Sequence, residues 1–394
     1  MKIKLNQDNS LIIPAVFLQR RNLAPPLDFW LFEREGEPIL LPRLPNLRKL
    51  YIEVTTGCNL QCRFCMRNIW DDPIALMTQD IFDAVAARLP FLPELEEVVF
   101  TSFGEPLTHP NILSMIETFT SRGLKVTLGS NGILLTPKIV SELIKLGVYR
   151  VMVSIDGAQA ETFHDLRGAN LQQIIANLEH LKELKKQHAT RLPELGIEFV
   201  ILKSNADELP ALVRLASGLG AARLIVSNVL AYTEDMVDQT LYGYAPVDSV
   251  KGFGFPNLGS GWWLWNFMEM PRMHWGAERH CRFVHSRATV VGWDGGVSPC
   301  YALSHNYSYY TLDGRKKKVT RYVLGNVTQT PLDEIWMSEE YMQYRSEVAV
   351  YHFPSCPDCD LRSTCDLREL NEGCWGVNPS CADCLWSQDI IRCP

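Results

Sequence analysis

The sequence predicts an α/β protein: a partial (β/α)6 barrel over residues 50–232, with a small β-rich segment before it and a cysteine-rich domain after it. Three observations carry that expectation. Six apolar, strand-like runs alternate with amphipathic stretches between Leu50 and Val229, the pattern of a parallel sheet with crossover helices. Three cysteines, Cys58, Cys62 and Cys65, sit on one loop just past the first of those runs. Nine of the twelve cysteines crowd between Cys281 and Cys393.

Bulk properties narrow the setting. A chain of 394 residues can hold two or three domains and a sizeable core. Its net charge of −7 argues against nucleic acid or an anionic membrane as main partner. No apolar run approaches the roughly 18 residues of a membrane span. The Leu11–Leu18 run is broken by Pro14 and lacks a small-residue cleavage site, so it does not read as an export signal. A cytoplasmic chain keeps its thiols reduced, and the cysteines then point to metal rather than disulfides.

Residues 1–49 read as short strands with two longer ones, Phe29–Glu33 and Pro38–Leu41, around Glu35-Gly36. The stretches "IKLNQDNSLIIPAVFLQRRNL" and "DFWLFEREGEPILLP" resemble the AbrB-like swapped-hairpin module, with Leu27 where that family carries a turn glycine. The resemblance implies a homodimer or partner contact through this segment; a hairpin packed on the main domain is the alternative.

In the barrel region, strands are expected at 50–55, 97–102, 124–129, 149–155, 196–202 and 222–229. Thr136-Pro137 is an N-cap followed by proline at the first helical position, and Gly147 ends that helix. Leu171, Ile174, Ile175, Leu178, Leu181 and Leu184 recur at helical spacing. In such folds the loops at the strand C-terminal ends build the site, and the three-cysteine loop lies at that edge. Residues 233–280 form a bridge rich in Gly, Pro and aromatic residues, among them Phe253, Phe255, Trp262, Trp263, Trp265, Phe267 and Trp275. It reads as a cavity lining or as a seam between domains.

Three thiolates can hold three irons of a [4Fe–4S] cluster and leave the fourth open to a small molecule. A zinc site borrowing a fourth ligand is the other reading. The C-x3-C-x2-C order, with Phe64 before the last cysteine, resembles the signature of radical S-adenosylmethionine (SAM) enzymes. That resemblance implies a [4Fe–4S] cluster on Cys58, Cys62 and Cys65, with SAM as cosubstrate. Phe103-Gly104-Glu105-Pro106 matches the family's "GGE" motif, with Phe in the first glycine place. By resemblance, Gly104 and Glu105 approach the SAM ammonium, and Ser130-Asn131 serve ribose or methionine. Ser154 likewise serves ribose, Asp156 belongs to the same strand-end group, and Arg167 takes the carboxylate.

Beyond Cys281 the order is Cys300, Cys356-x2-Cys359, Cys365, Cys374, Cys381, Cys384 and Cys393, with Gly295 five residues before Cys300. This resembles the SPASM extension, which implies two auxiliary [4Fe–4S] clusters. The resemblance assigns Cys281, Cys300 and Cys374 to the nearer cluster, with Cys381 or Cys393 as a candidate fourth ligand or an iron open to substrate. It assigns Cys356, Cys359 and Cys365 to the farther one, completed by Cys384 or a neighbour. Zinc knuckles are the alternative. Eight residues separate Cys365 from Cys374 where the family has three. Some relatives place a catalytic Asp after the second SPASM cysteine; here it is Tyr301, a poor base at neutral pH because a phenol titrates near 10. Tyr301 is therefore expected to relay a proton, a radical or an electron.

The whole chain resembles the tungsten-cofactor oxidoreductase radical SAM maturases, most specifically in "LYIEVTTGCNLQCRFC", "MHWGAERHCRF", "DGGVSPCYAL" and "NEGCWGVNPSCADCLWSQDIIRCP". The resemblance implies modification of a peptide, protein or cofactor of a tungsten oxidoreductase, with flavodoxin or ferredoxin as electron donor. A ribosomal-peptide maturase and a non-catalytic iron–sulfur electron carrier are the other readings.

Overall fold

The computed structural model describes residues 4–5, 11–16, 29–34, 37–42, 45–242, 267–272, 278–311, 314–351 and 353–392. Six strands form close to the expected places: β1 (Lys49–Ile52), β2 (Glu97–Phe100), β3 (Lys125–Ser130), β4 (Arg150–Ser154), β5 (Glu194–Ile201) and β6 (Arg223–Asn228). They pair in parallel and in chain order. Val98, Val99 and Phe100, like Val151, Met152 and Val153, are buried in succession, as strands covered on both faces must be.

Helices α1 (Gln79–Ala86), α2 (Ile112–Thr120), α3 (Pro137–Lys145), α4 (Ala160–Arg167), α5 (Leu171–Gln187) and α6 (Leu209–Gly218) make the crossovers. The Thr136 hydroxyl accepts from the Ile139 amide and caps α3, whose exit passes through Gly147 at φ 66°. On α5, Leu171, Ile174, Leu178 and Leu181 face the core, with Ile175 and Leu184 at its edge.

The sheet continues past the barrel. β7 (Met268–Glu269) pairs with β6, and β8 (Ala288–Val291) pairs in parallel with β1, followed by the antiparallel β9 (Val297–Ser298). The cysteine-rich region thus begins by extending the barrel sheet, and Leu47–Pro394 forms one compact unit. Further on come the hairpin of β10 (Tyr307–Tyr310) and β11 (Lys316–Val319) and helix α7 (Glu339–Val350). Met1–Asn46 is a separate unit, in which Phe29–Arg34 pairs with Glu37–Pro42 as expected. Residues 17–28 of the AbrB-like stretch lie outside the described residues, as do Phe253, Phe255, Trp262, Trp263, Trp265 and Trp275 of the bridge. Among the described residues no helix is long and apolar enough to cross a membrane.

A buried charge cluster ties the cysteine-rich region to the barrel. The His305 ring bonds Asp72 through Nδ1 and Glu53 through Nε2 at 3.0 Å, with the Trp70 ring tilted against it at 4.4 Å. Burial opposes the imidazolium, but Asp72 and Glu53 outweigh it and push the pKa up to about 9. The folded pKa lies above the ordinary 6.5, so this stabilisation is complete below about pH 6.5 and disappears as pH rises through 9. It is on the order of 3 kcal/mol. Thermal unfolding between pH 6 and 10 should show the loss, and His305→Gln should flatten that slope while lowering stability at pH 6.

Candidate active site

The cysteine loop is built by backbone approach. Gly57 donates to the Thr55 hydroxyl at 2.9 Å, and Thr56 is bonded to the Pro73 and Ala75 backbone. The Glu105 amide donates to the Gly57 carbonyl at 2.8 Å. A β-carbon on Gly104 would lie 2.2 Å from the Thr55 carbonyl oxygen and 2.7 Å from that of Gly57. Gly104 therefore serves close contact with the cysteine loop as well as lining the cavity. On the far side the Arg63 amide donates to Leu166, locking the loop to the end of α4.

Cys58, Cys62 and Cys65 open into one cavity of about 1320 Å³, mouth included. Gly104, Glu105, Ser130, Asn131, Ser154, Arg167 and Tyr301 line the same cavity. The sequence-predicted strand-end residues converge there, with the exception of Asp156, which is wholly buried beside it. Asp156 acts through Arg167: its Oδ2 accepts from the guanidinium Nε, and its Oδ1 accepts from the Val200 amide at 2.7 Å. Burial opposes the Arg167 charge, but the Asp156 carboxylate outweighs it and holds the guanidinium protonated.

The Glu105 carboxylate accepts from Ser130 Oγ at 2.9 Å and from the amides of Asn131 at 2.7 Å and Leu107 at 3.2 Å. Three of its roughly four acceptor positions are filled, which leaves room for one further donor. Asn131 Nδ2 donates to Asn59 at 2.7 Å and reaches Cys58 Sγ at 3.7 Å. Asn131 thus braces the cysteine loop, and Ser130 holds Glu105, in addition to lining the cavity. Tyr301 donates its hydroxyl proton to the Thr101 carbonyl at 2.8 Å and packs edge-on against Tyr51 and Phe103. The phenol proton is thus engaged by a backbone carbonyl, with the ring in the cavity wall.

Two elements of the site have no counterpart in the sequence expectations. Glu198 lies in β5 opposite Ser154, whose hydroxyl donates to Oε2 at 3.4 Å. It lines the cavity, and its Oε1 has no hydrogen-bond partner among the described residues. A lone acid within the apolar run Gly-Ile-Glu-Phe-Val-Ile is the signal that could have marked it. Burial pushes its pKa up to about 7 against the pull of Arg167. The second element is the C-terminal stretch. The Ile390 carbonyl accepts from Asn228 Nδ2 at 3.0 Å and the Arg392 amide donates to Ser227 Oγ at 3.0 Å, closing the cavity over the end of β6.

Glu198→Gln should weaken SAM binding about tenfold or more, as loss of a charge-assisted hydrogen bond does. In the SAM-free protein the folded pKa is raised from 4.5 to about 7. Stability should therefore fall as pH rises from 4.5 to 7, and the glutamine variant should lack that component in thermal melts.

The residues present fit an iron–sulfur cluster with SAM beside it. Burial raises the pKa of Cys62 and of Cys65, so the thiols need a metal to become ligands. Two family patterns match: the radical SAM superfamily over residues 52–216, and SPASM, an iron-sulfur cluster-binding domain, over residues 281–360. The chain is 35% identical over 355 residues to a tungsten-containing aldehyde ferredoxin oxidoreductase cofactor-modifying protein of Pyrococcus furiosus, covering 88% of this chain and 97% of that one.

This chain is a radical SAM enzyme with a SPASM domain. Solved structures share its fold. SuiB of Streptococcus suis bound to S-adenosylmethionine superposes with a TM-score of 0.56 at 16% identity, over 83% of this chain and 73% of SuiB. The enzyme anSMEcpe with bound AdoMet gives 0.53 at 17% identity, over 87% and 92%. Membership brings SAM, a [4Fe–4S] cluster and auxiliary iron–sulfur clusters as cofactors.

The auxiliary cysteines of this radical SAM enzyme group differently from the expectation. Cys281, Cys300, Cys381 and Cys384 line one second cavity, and Cys374 is not among them. Cys374 instead lies near Cys365 and Cys359, and Cys356 lies near Cys374. The resemblance placed Cys374 with the nearer set and Cys384 with the farther one; in the structure Cys384 shares a cavity with Cys281 and Cys300, and Cys374 does not line it. Cys393 lies outside the described residues, and the eleven described cysteines are all free thiols.

Proposed function

We propose that this radical SAM enzyme modifies a peptide, protein or cofactor in the maturation of a tungsten-dependent oxidoreductase. The observation that carries the catalytic part is the shared cavity, where Cys58, Cys62 and Cys65 meet Glu105, Ser154, Arg167 and Glu198. The tungsten part is supported by the similarity to the P. furiosus cofactor-modifying protein over nearly its whole length.

When bound, the cluster and SAM supply one-electron cleavage of a carbon–sulfur bond and an adenosyl radical that takes hydrogen from substrate. The protein's part is binding and exclusion. Cys58, Cys62 and Cys65 would hold three irons of that cluster. Arg167 presents a fixed positive charge suited to the SAM carboxylate, and Glu105 offers its open acceptor position to the ammonium. Ser154 and Glu198, adjacent on β4 and β5, suit ribose hydroxyls. Phe64, Phe103, Tyr301 and Trp386 wall the cavity and keep water from a radical. Trp386 and Ile391 also line the cavity of Cys281, Cys300, Cys381 and Cys384, so a thin wall separates substrate from the nearer auxiliary site. That arrangement suits electron transfer from substrate to an auxiliary cluster. An external flavodoxin or ferredoxin would reduce the front cluster.

The test is anaerobic incubation of reconstituted protein with SAM and dithionite. 5′-Deoxyadenosine is expected, and its absence above a Cys58→Ala control overturns the catalytic reading. Mass change in a tungsten oxidoreductase, its cofactor or a peptide encoded beside it supports the tungsten assignment. Modification confined to an unrelated ribosomal peptide overturns that assignment and leaves the radical chemistry standing.

A further inference from the structure

Glu53 and Asp72 stand at the two ends of the segment that carries Cys58, Cys62 and Cys65. Glu53 follows β1 directly, and Asp72 stands where the chain comes back. The two stems meet through neutral contacts. The Met77 amide donates to the Val54 carbonyl at 2.8 Å, the Thr55 hydroxyl to the Ala75 carbonyl at 2.9 Å and the Thr56 hydroxyl to the Pro73 carbonyl at 2.6 Å. An ionic contact from the cysteine-rich region crosses the same neck. His305 sets Nε2 3.0 Å from Glu53 Oε1 and bonds Asp72 Oδ2 through Nδ1. The side chains of His305 and Glu53 are each 3% exposed, and that of Asp72 is 20% exposed. An ionised carboxylate only accepts, so a ring with one on each nitrogen donates from both and carries a positive charge.

The same turn reaches the SAM cavity at a second point. Tyr301, four residues before His305, donates to the Thr101 carbonyl at 2.8 Å. Phe103, in the cavity wall, lies edge-on to the Tyr301 ring at 6.3 Å and to the His305 ring at 5.7 Å. Trp70, two residues before Asp72, leans on the imidazole from the loop side. One further ion pair faces this neck. Arg321 holds Asp294 at 2.7 and 2.9 Å and lies near enough to attract Glu53 and Asp72. With the ring charged, these three acids face two cations; with the ring neutral, they face one.

We propose that His305 is a positioning residue of the front site: its imidazolium staples the two stems of the cysteine loop and seats Phe103, holding loop and cavity in the geometry that binds SAM. This role rests on the radical SAM reading of the cavity. Asp72 and Glu53 push the ring's pKa up to about 9. The staple is therefore complete at neutral pH and is lost as pH rises through 9. When the proton leaves, one nitrogen becomes an acceptor that faces a carboxylate, and the stem on that side is released. Arg321 keeps its charge throughout, so the loss falls on His305.

Two measurements on the anaerobically reconstituted full chain test this. The first is amide hydrogen exchange without SAM at pH 7. His305→Gln should speed exchange across residues 54–72 about tenfold, the order expected for losing a hydrogen bond to a charged group. Unchanged exchange there overturns the staple. The second is SAM titration from pH 7 to pH 10. The parent should lose about tenfold in affinity as the ring deprotonates. Asp72→Asn should move that loss toward neutral pH, because Glu53 alone then supports the charge. His305→Lys should delay it, because an ammonium titrates above the ring. The amino group of SAM titrates near roughly 8 and weighs equally on every variant, so the differences between profiles are what is read. A merely structural brace would lower stability without moving those midpoints. Identical profiles for the parent and Asp72→Asn overturn the role of the charge. If His305→Gln does not fold, Asp72→Asn, whose site reaches the surface, reads both measurements. A parent that binds no SAM at any pH fails the reading of the cavity, and hydrogen exchange then still decides the staple.

Discussion

Gly104→Ala is expected to strip the front cluster and lower 5′-deoxyadenosine formation by a hundredfold or more. The added β-carbon would stand 2.2 Å from the Thr55 carbonyl oxygen, 2.7 Å from the Gly57 oxygen and 2.9 Å from the Thr55 carbonyl carbon. All three are backbone atoms, and none can swing aside as a side chain would. The two loops must part, and the Glu105 amide then loses the Gly57 carbonyl that it reaches at 2.8 Å. Cys58 follows Gly57 directly, so the first thiol moves with its neighbour. Overpacking of this kind costs about 1–3 kcal/mol in stability, while a displacement near 1 Å at a reacting centre costs on the order of a hundredfold in rate. Activity should therefore fall much further than stability. Iron analysis and 5′-deoxyadenosine assays check the first effect and thermal melts the second. Gly218→Ala is the control, because a β-carbon there meets nothing within 4 Å and the site is helical. It should match or slightly exceed the parent in stability.

The sequence made local matters plain and left long-range closure obscure. Apolar runs bounded by glycine and charge marked all six barrel strands, because a strand buried on both faces has few alternatives to Val, Ile, Leu and Phe. The cysteine loop was legible from spacing, and the resemblance to radical SAM enzymes pointed to Glu105, Ser130, Asn131, Ser154 and Arg167, which the structure brings to one cavity. Their division of labour was not. Asp156 looks in sequence like one more polar strand-end residue, and only the path of α4 shows it gripping Arg167 from behind. Glu198 was hidden because a single acid in a strand reads as an exposed position, whereas its register beside Ser154 turns it inward. The pairing of β8 with β1 joins residues more than two hundred apart, and no periodicity reports such a contact. The same holds for the auxiliary thiols: spacing within a loop says that cysteines can share a metal, but the fold of the whole loop decides with which partners.

Arg167→Ala should abolish measurable SAM binding and cost about 3–5 kcal/mol of stability, since it leaves the Asp156 carboxylate buried without its counter-charge. The two effects have separate origins and can be separated. Arg167 ends α4, and Gly168 turns the chain out of the helix at φ 67° with its amide on the His164 carbonyl at 2.7 Å. That turn fixes the guanidinium between Asp156 behind it and the cavity in front. Adding Asp156→Asn to Arg167→Ala removes the stranded charge while keeping an oxygen for the Val200 amide, which Asp156 Oδ1 now accepts at 2.7 Å. The double variant should regain much of the lost stability, because the cost of the single change is chiefly an uncompensated carboxylate. It should regain none of the SAM affinity, because the charge facing the cavity is still missing. Equilibrium unfolding and SAM titration of the parent, the single and the double variants form the comparison. Recovery of both properties together would make the guanidinium a purely structural brace and move the carboxylate contact elsewhere in the cavity, whereas recovery of stability alone places Arg167 at the cosubstrate.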